Sequence, residues 1–504
     1  MQIALLQTTT YGFDVQANVQ SIIQNLAAVP EADVCVCSAN ALCALEISEY
    51  PFPAQCTALI SDAIKVLASQ CRHGQTLVLT IPRINEAGSV DLCVLSICNG
   101  AWKFASSSMQ QVEGVRIFWA TMQIQGQKFG FCLFAHRTLP KIAADFFKEH
   151  QCEAVFLLAA KAWVWQGASE DEQQLCSLAL ELNKPCFLLN AIGVRETTLY
   201  GGESFVASVD GVDLRMPAFV EGAQIWGKQH ISQPRSSSLA SLWQALVFGT
   251  KFFVLRSGCQ NVWLGLSGGI DSALVLAIAK EALGEGVHAL IMPSPYNSEE
   301  SMEDAKQLAE NLGVHYCVLP IVKAMETFEQ LLLPMLPTPQ ACDLTFENLQ
   351  ARIRAVLLFA FANRAHALVL NTSNLSEIAQ GYSTLYGDST GALAVIGDLF
   401  KGDVYALSNW YNQTHPQAPI PERILQRAPS AELRPNQKDS DTLPDYPILD
   451  KVLRAILQGQ FPQEEVAVQI WKRLCRTEFK RRQCPAALRV RTKSFTYGFH
   501  LPLF

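Results

Sequence analysis

Residues Leu264 to Ala273 run Leu-Gly-Leu-Ser-Gly-Gly-Ile-Asp-Ser-Ala, and no other stretch limits the fold so tightly. A short apolar run of strand length, Val262 to Leu266, precedes the small residues. After them, Ala273 to Leu283 is apolar almost all round until Gly284 stops it, which suits a buried helix. The small and hydroxylic residues therefore fall at a strand-to-helix turn. Gly268 and Gly269 let the backbone come close to a ligand, and the helix start offers unpaired N–H groups to an anion. Ser267 and Ser272 add hydroxyl donors, and Asp271 can hold a divalent cation that arrives with a polyphosphate. The stretch is a phosphate cradle that lacks the Lys of G-x-x-x-x-G-K-[ST]. A plain Gly turn capping a helix is the alternative for a lone Gly-Gly, and Ser-Gly-Gly-Ile-Asp-Ser at this position argues past it.

The run resembles the pyrophosphate loop of ATP pyrophosphatases, enzymes that adenylate a carboxyl or carbonyl oxygen and release pyrophosphate. NAD, GMP and asparagine synthetases share that loop, so it does not choose the substrate by itself. The resemblance places Gly265, Leu266, Ser267, Gly268, Gly269, Ile270, Asp271 and Ser272 around ATP, with Asp271 on Mg²⁺.

At 504 residues the chain has room for about two or three domains. Its 49% hydrophobic and 17% charged content describes a globular protein with large cores. A formal charge of −7 excludes a non-specific nucleic-acid binder, which needs a basic field. No apolar stretch of about 18 residues is present, so no transmembrane helix is expected. Met1 to Thr10 lacks a basic n-region and cleavage site and reads as a first strand, so a cytoplasmic protein is expected. The 16 cysteines are scattered without metal-ligand spacing, and Cys35 and Cys37 alternate in an apolar run as small core residues do.

Residues 1 to about 230 alternate strand-like and helix-like segments. Met1–Thr8, Asp33–Cys37, Thr76–Ile81, Val90–Ile97, Lys128–Phe134, Ala154–Ala159 and Cys186–Leu189 read as strands. Val15–Val29, Phe52–Gln70 and Leu139–His150 read as helices, giving a β-rich α/β pattern. The order of these runs resembles the nitrilase-like amidohydrolase domain of glutamine-dependent NAD synthetases. Ala32-Asp33-Val34-Cys35-Val36 falls at that family's second strand, and Gly202-Glu203-Ser204-Phe205-Val206 at its Gly-x-Ser-Phe hairpin. The resemblance implies an αββα sandwich over residues 1–232.

The chemistry of that family needs a Cys nucleophile, a Glu base and a Lys for the oxyanion. Carried over residue by residue, the match departs from the pattern. The strand that ends in Phe-Pro-Glu in the family reads Cys37-Ser38-Ala39, which puts Ala39 at the base. Lys103 takes the Lys position, counted back from Arg116-Ile117-Phe118. The nucleophile motif aligns with Gly130 to His136 and Pro140, which puts Phe134 at the nucleophile. Lys161 stands where a Ser helps to hold glutamine. Cys132 shares a strand face with Phe134 but lies roughly 6.6 Å further back at about 3.3 Å per residue, and no Glu remains to activate it. A pseudo-amidase is expected, with His136 a weak candidate for a substitute base.

Ile231 to Ser238 has linker composition, with residues 233–238 as the join. Beyond it, over residues 239–504, helices alternate with strands. Leu239–Gly258 and Ser301–Leu312 read as helices, and His288–Met292, Tyr316–Ile321 and Ala367–Asn371 as strands. That alternation predicts a parallel, doubly wound, Rossmann-like sheet with its ligand crevice beyond the strand carboxyl ends. The loop, Pro293–Ser298 and Thr372–Glu377 should line that crevice.

Later blocks narrow the family. They are Glu347 to Arg354, Thr372-Ser373-Asn374-Leu375-Ser376-Glu377, Gly381 to Asp388, Lys401, Pro429 to Pro435, Asp439 to Tyr446 and Phe479 to Gln483. Together they resemble an NAD synthetase across nearly all of residues 240 to 495. The resemblance implies that Thr372 and Lys401 join the ATP set. It implies that Asn348, Arg352, Glu377, Tyr382, Ser383, Thr384, Asp388 and Lys480 bind deamido-NAD, the nicotinic acid dinucleotide, and that Glu377 also serves the metal. Asp271 and Lys401 are the expected catalytic groups. Leu375 departs from the family's usual Lys, and Cys484-Pro485-Ala486-Ala487 departs from its Pro-rich stretch.

The expected reaction is ATP- and Mg²⁺-dependent amidation of deamido-NAD through an acyl-adenylate, with ammonia as nitrogen donor. Partners other than deamido-NAD, ATP and ammonia are not expected from nucleic acid or membrane, and a homo-oligomer, dimer or larger, is a family expectation. Three readings compete: a glutamine-dependent enzyme with a working amidase, another ATP pyrophosphatase, and a silent scaffold. The intact later blocks argue against the last.

Overall fold

The computed structural model describes residues 1–43, 54–84, 90–112, 115–134, 142–165, 169–227, 238–336, 344–460 and 463–497. The chain divides into two compact units, Met1–Ser238 and Leu239–Phe504. The expected linker lies outside the described residues up to Ser238, where a helix, Ser238–Arg256, begins.

The first unit has four layers. One six-stranded sheet runs in the order Gly222–Ile225, Ile3–Gln7, Val34–Cys37, Thr76–Ile84, Val90–Cys98, Ala101–Phe104. A seven-stranded sheet runs Gly211–Arg215, Phe205–Ser208, Cys186–Asn190, Ala154–Ala159, Gln127–Phe134, Val115–Ile124, Ser106–Val112. Side chains alternate along each strand, so every central strand feeds two cores. Leu5, Val36, Phe131, Phe156 and Phe187 fill the space between the sheets. Leu6, Cys35, Cys37 and Leu79 face the helices Val15–Ala28 and Ala54–Gln70. Trp119, Cys132 and Leu157 face Ile142–Glu149 and Ser169–Leu182. This is the αββα sandwich expected from the sequence. Cys35 and Cys37 are buried thiols, and burial pushes Cys35 up to about 12.

The second unit is built on a six-stranded, wholly parallel sheet. Its order is His315–Val318, Val287–Ile291, Val262–Gly265, Leu368–Asn371, Leu393–Ala394, Ala486–Ala487. Numbered within the unit this is 3-2-1-4-5-6, the doubly wound order whose ligand crevice opens where strand 1 meets strand 4. In this unit two boundaries differ from expectation by three residues. The third strand stops at Val318, short of the expected Ile321, and Pro320 has no N–H to continue a ladder. The helix after the phosphate loop begins at Ile270, before the expected Ala273, which puts Asp271 in its first turn. Among the described residues no helix is long and apolar enough to cross a membrane.

Candidate active site

The first strand of the parallel sheet delivers Gly265 to the crevice, and the chain turns through Ser267, Gly268 and Gly269 into the Ile270–Leu283 helix. Gly268 has φ +78°, and a Cβ there would come within 2.2 Å of the Ser301 carbonyl oxygen. Only glycine fits this turn. The two serines brace the loop from within. Ser267 N–H donates to Ser272 Oγ at 3.3 Å, the two hydroxyls lie 3.1 Å apart, and Ser272 Oγ donates to the Gly269 carbonyl at 3.0 Å.

Asp271 meets two later blocks of the chain. Asn374 Nδ2 donates to its Oδ1 at 2.9 Å, and Lys401 Nζ donates to its Oδ2 at 2.5 Å. Asn374 also caps the Leu375–Gln380 helix by accepting from Glu377 N–H at 3.1 Å. That cap aims Glu377 at the same ammonium, whose Nζ lies 3.1 Å from Glu377 Oε1. Lys401 is only 2% exposed. Burial alone would lower its pKa, but Asp271 and Glu377 outweigh that and hold it above the ordinary lysine value. Burial pushes Glu377 up to about 7, while Lys401 works to lower it.

Around this trio the cavity encloses about 300 Å³. Every residue expected to hold ATP lines it: Gly265 to Ser272, Thr372 and Lys401. Of the residues expected on deamido-NAD, Glu377, Tyr382 and Asp388 line it too. Asn348, Arg352, Ser383, Thr384 and Lys480 are not part of its lining, and their hydrogen bonds hold the 381–388 loop in shape. Thr384 Oγ1 donates to Asn348 Oδ1 at 2.7 Å, Thr384 N–H to Asp388 Oδ1 at 2.5 Å, and Arg352 Nε to the Leu385 carbonyl at 3.2 Å. Lys480 reaches the loop from the Glu478–Arg481 helix. Its Nζ donates to the Gly381 and Ser383 carbonyls at 2.9 and 2.6 Å, so it braces the loop.

Other groups join the site, all but Arg427 from segments that the sequence marked only as wholes. Asp439 accepts from the Tyr446 hydroxyl at 2.7 Å and the Tyr382 hydroxyl at 3.2 Å, beside Lys401. Burial raises both phenols, so they stay neutral donors. Arg354, one of the two arginines of Glu347–Arg354, donates to the Met292 carbonyl at 3.0 Å and Asn297 Oδ1 at 3.1 Å. Its burial pulls it down to about 10. Arg427 reaches the Gly268 carbonyl at 3.3 Å and Ser301 Oγ at 3.0 Å, and is paired with Asp304. Glu432 accepts from Asn297 Nδ2 at 2.7 Å and Ser301 Oγ at 2.6 Å. A helical Arg in an apolar stretch was the available signal for Arg354; nothing local marked Arg427.

Asp271 and Glu377 converge on one point, the Lys401 ammonium. Two carboxylates that share a point with incoming phosphate oxygens suit Mg²⁺, which takes few protein ligands. Among the described residues no group of three or more His, Cys, Asp or Glu side chains is placed to hold a metal ion.

In the first unit, Ala39 is 3% exposed and sits in the core between the sheets. Phe134 ends its strand, paired in register with Ala159. Gly130 and Cys132 face the helices: a Cβ on Gly130 would meet Phe147 at 2.5 Å, and Cys132 is part of the helix-facing core. Burial raises the Cys132 thiol far above its ordinary value. Lys161 follows the Ala154–Ala159 strand and is ion-paired with Asp171, while its N–H donates to Asn190 Oδ1 at 2.8 Å. Lys103 sits apart from the Val34–Cys37 strand in the sheet order. It stands exposed on the edge strand Ala101–Phe104, three strands from the one that leads to Ala39, and at about 4.8 Å per strand that is roughly 14 Å. His136 and Pro140 lie outside the described residues.

Residues 242–484 match the family model described as NAD synthase. The glutamine-dependent NAD(+) synthetase of Acinetobacter baylyi is 38% identical over 371 residues, covering 70% of this chain and 68% of that protein. The chain belongs to the glutamine-dependent NAD(+) synthetase family. The Synechocystis sp. glutamine-dependent NAD(+) synthetase is 40% identical over 353 residues, 66% of this chain. The match spans 62% of that relative's own length. A solved glutamine-dependent NAD+ synthetase from Acinetobacter baumannii, in complex with ADP, matches 100% of this chain and 98% of its own, with a TM-score of 0.77 and 27% identity. One from Cytophaga hutchinsonii shows the same fold, with a TM-score of 0.82 at 15% identity, over 100% of this chain and 97% of its own. Membership in this synthetase family agrees with the family expected from the blocks between Glu347 and Gln483.

Proposed function

We propose that the second unit converts deamido-NAD to NAD by adenylating the nicotinate carboxylate with ATP. The observation that carries this reading is the meeting of Asp271, Glu377 and Lys401 beside a glycine phosphate loop, at the switch point of a doubly wound sheet. The matched NAD synthase segment and the ADP complex of the A. baumannii relative support it.

In this reading the Ile270–Leu283 helix start and the Ser267–Gly269 turn hold the polyphosphate. An oxygen of the nicotinate carboxylate attacks the α-phosphorus, and the bond from that phosphorus to pyrophosphate breaks. Ammonia then adds to the acyl carbon, AMP departs with the attacking oxygen, and a proton leaves the nitrogen to give the amide. Asp271 and Glu377 would hold Mg²⁺, which supplies charge neutralisation to the polyphosphate. Lys401, charged and buried, stands ready to offset negative charge on the same groups. Positioning and charge stabilisation carry the rate, with no covalent help from the protein.

The nitrogen source divides two readings. The relatives are named for glutamine, which favours glutamine as donor over the ammonia expected from the sequence. Against it stand Ala39, Phe134 and a Cys132 thiol that burial keeps protonated. One assay separates the two. Deamido-NAD, ATP and Mg²⁺ are supplied with either ammonium or glutamine, and NAD and AMP are followed. Efficient use of glutamine sinks the pseudo-amidase reading, activity with ammonium alone supports it, and no AMP from either sinks the synthetase reading.

A further inference from the structure

Lys401 and Glu377 begin two different helices, Lys401–Thr414 and Leu375–Gln380, yet their side chains meet within one hydrogen bond. What fixes the two helix starts against each other lies one layer behind the cavity. Asp450, 6% exposed on the Tyr446–Leu457 helix, reaches both. Its Oδ1 accepts from Ser376 Oγ at 2.5 Å, and Ser376 is the residue before Glu377. Its Oδ2 accepts from Gly402 N–H at 2.8 Å, and Gly402 is the residue after Lys401. The link closes through Ser376 Oγ, which accepts from Lys401 N–H at 3.0 Å.

One helix face serves both layers. Tyr446 and Asp450 are four residues apart and so share a face. Tyr446 brings its ring to 5.1 Å from Lys401 Nζ and its hydroxyl to Asp439, while Asp450 grips the backbone beneath. Asp450 itself is not among the residues that line the cavity. A neutral or shorter side chain would leave a helix-start N–H and the fully buried Ser376 hydroxyl without their charged acceptor.

We propose that Asp450 is a positioning residue, which through Ser376 and the Gly402 N–H sets the separation of Glu377 and Lys401. It rests on the reading that this cavity adenylates deamido-NAD. Ser376→Ala and Asp450→Ala cut the link at different points, and Asp450→Asn restores part of it.

The test is steady-state kinetics of AMP formation with saturating ammonium, so that the first unit plays no part. Small misplacements of reacting groups cost up to about 100-fold in rate. Both alanine variants should lose about tenfold or more in kcat, with KM for ATP and deamido-NAD changed by less than about threefold. Asp450→Asn should recover part of that loss. The double variant should be no slower than Asp450→Ala alone, because both changes break one link. If Asp450→Ala does not fold, Ser376→Ala decides alone, since it leaves the Asp450 bond to Gly402 in place. Wild-type kcat in folded Ser376→Ala, or losses that multiply in the double variant, would overturn the proposal. A wild-type protein that forms no AMP at all overturns the cavity reading instead, and that control is run first.

Discussion

Lys401 Nζ lies 2.5 Å from Asp271 Oδ2, which ties the start of the phosphate-loop helix to the start of the Lys401–Thr414 helix across the mouth of the cavity. The ammonium is nearly sealed from water, and the carboxylate is its partner on the loop side. This pair couples the group that would meet the metal to the cation that would meet the same phosphates.

Asp271→Ala is expected to cut AMP formation by at least about 100-fold, since it removes the proposed metal ligand and the Lys401 partner together. Glu377 still neutralises Lys401, so the fold should survive and circular dichroism should be unchanged. Full activity in this variant contradicts the loop assignment.

Gly268→Ala should be among the most damaging single-methyl changes in the unit. Its φ of +78° and the 2.2 Å approach to the Ser301 carbonyl leave no room, so both the loop and the start of the Glu299–Asn311 helix must shift. A loss of about 1–3 kcal/mol in urea unfolding is expected, along with weaker ATP binding by calorimetry.

Cys132 should behave as a core thiol. Iodoacetamide applied to the folded protein is expected to spare it, and urea should expose it to the reagent. Cys132→Ala should leave the rates with ammonium and with glutamine both as they are in the parent. A selective loss of the glutamine rate would make Cys132 the nucleophile and contradict the pseudo-amidase reading.

Asp398 gives the stability of the second unit a pH dependence. It is 1% exposed, and its Oδ2 accepts from Val490 N–H at 2.8 Å and Arg491 N–H at 2.9 Å. Burial pushes the carboxyl up to about 6 despite those bonds. A carboxyl raised in the fold favours the protonated form, so its contribution is complete below the ordinary value near 4 and is lost as pH rises through about 6. Between about pH 4 and pH 7 the parent should lose on the order of 3 kcal/mol relative to Asp398→Asn, measured by urea unfolding at each pH.

The strand–turn–helix at Leu264–Ala273 was legible because glycine, serine and aspartate at that turn have a local cause. The parallel sheet followed from the spacing of apolar runs, and the four-layer first unit from their order. What remained hidden depends on distant segments. Nothing near Asp271 announces Asn374, and nothing near Gly268 announces Arg427 or the backbone of Ser301. Lys480 sits in a basic cluster that suggested phosphate, yet burial against the Gly381 and Ser383 carbonyls gives it a different partner. For Lys103, a position counted along the chain did not say that its strand is the edge of the sheet.

The most direct test of the central claim follows the oxygens. Deamido-NAD labelled with ¹⁸O in the nicotinate carboxylate is turned over with ATP, Mg²⁺ and ammonium, and AMP and pyrophosphate are examined by mass spectrometry. Attack of the carboxylate on the α-phosphorus predicts one labelled oxygen in each AMP and none in pyrophosphate. Unlabelled AMP, or ADP and phosphate as products, would contradict it.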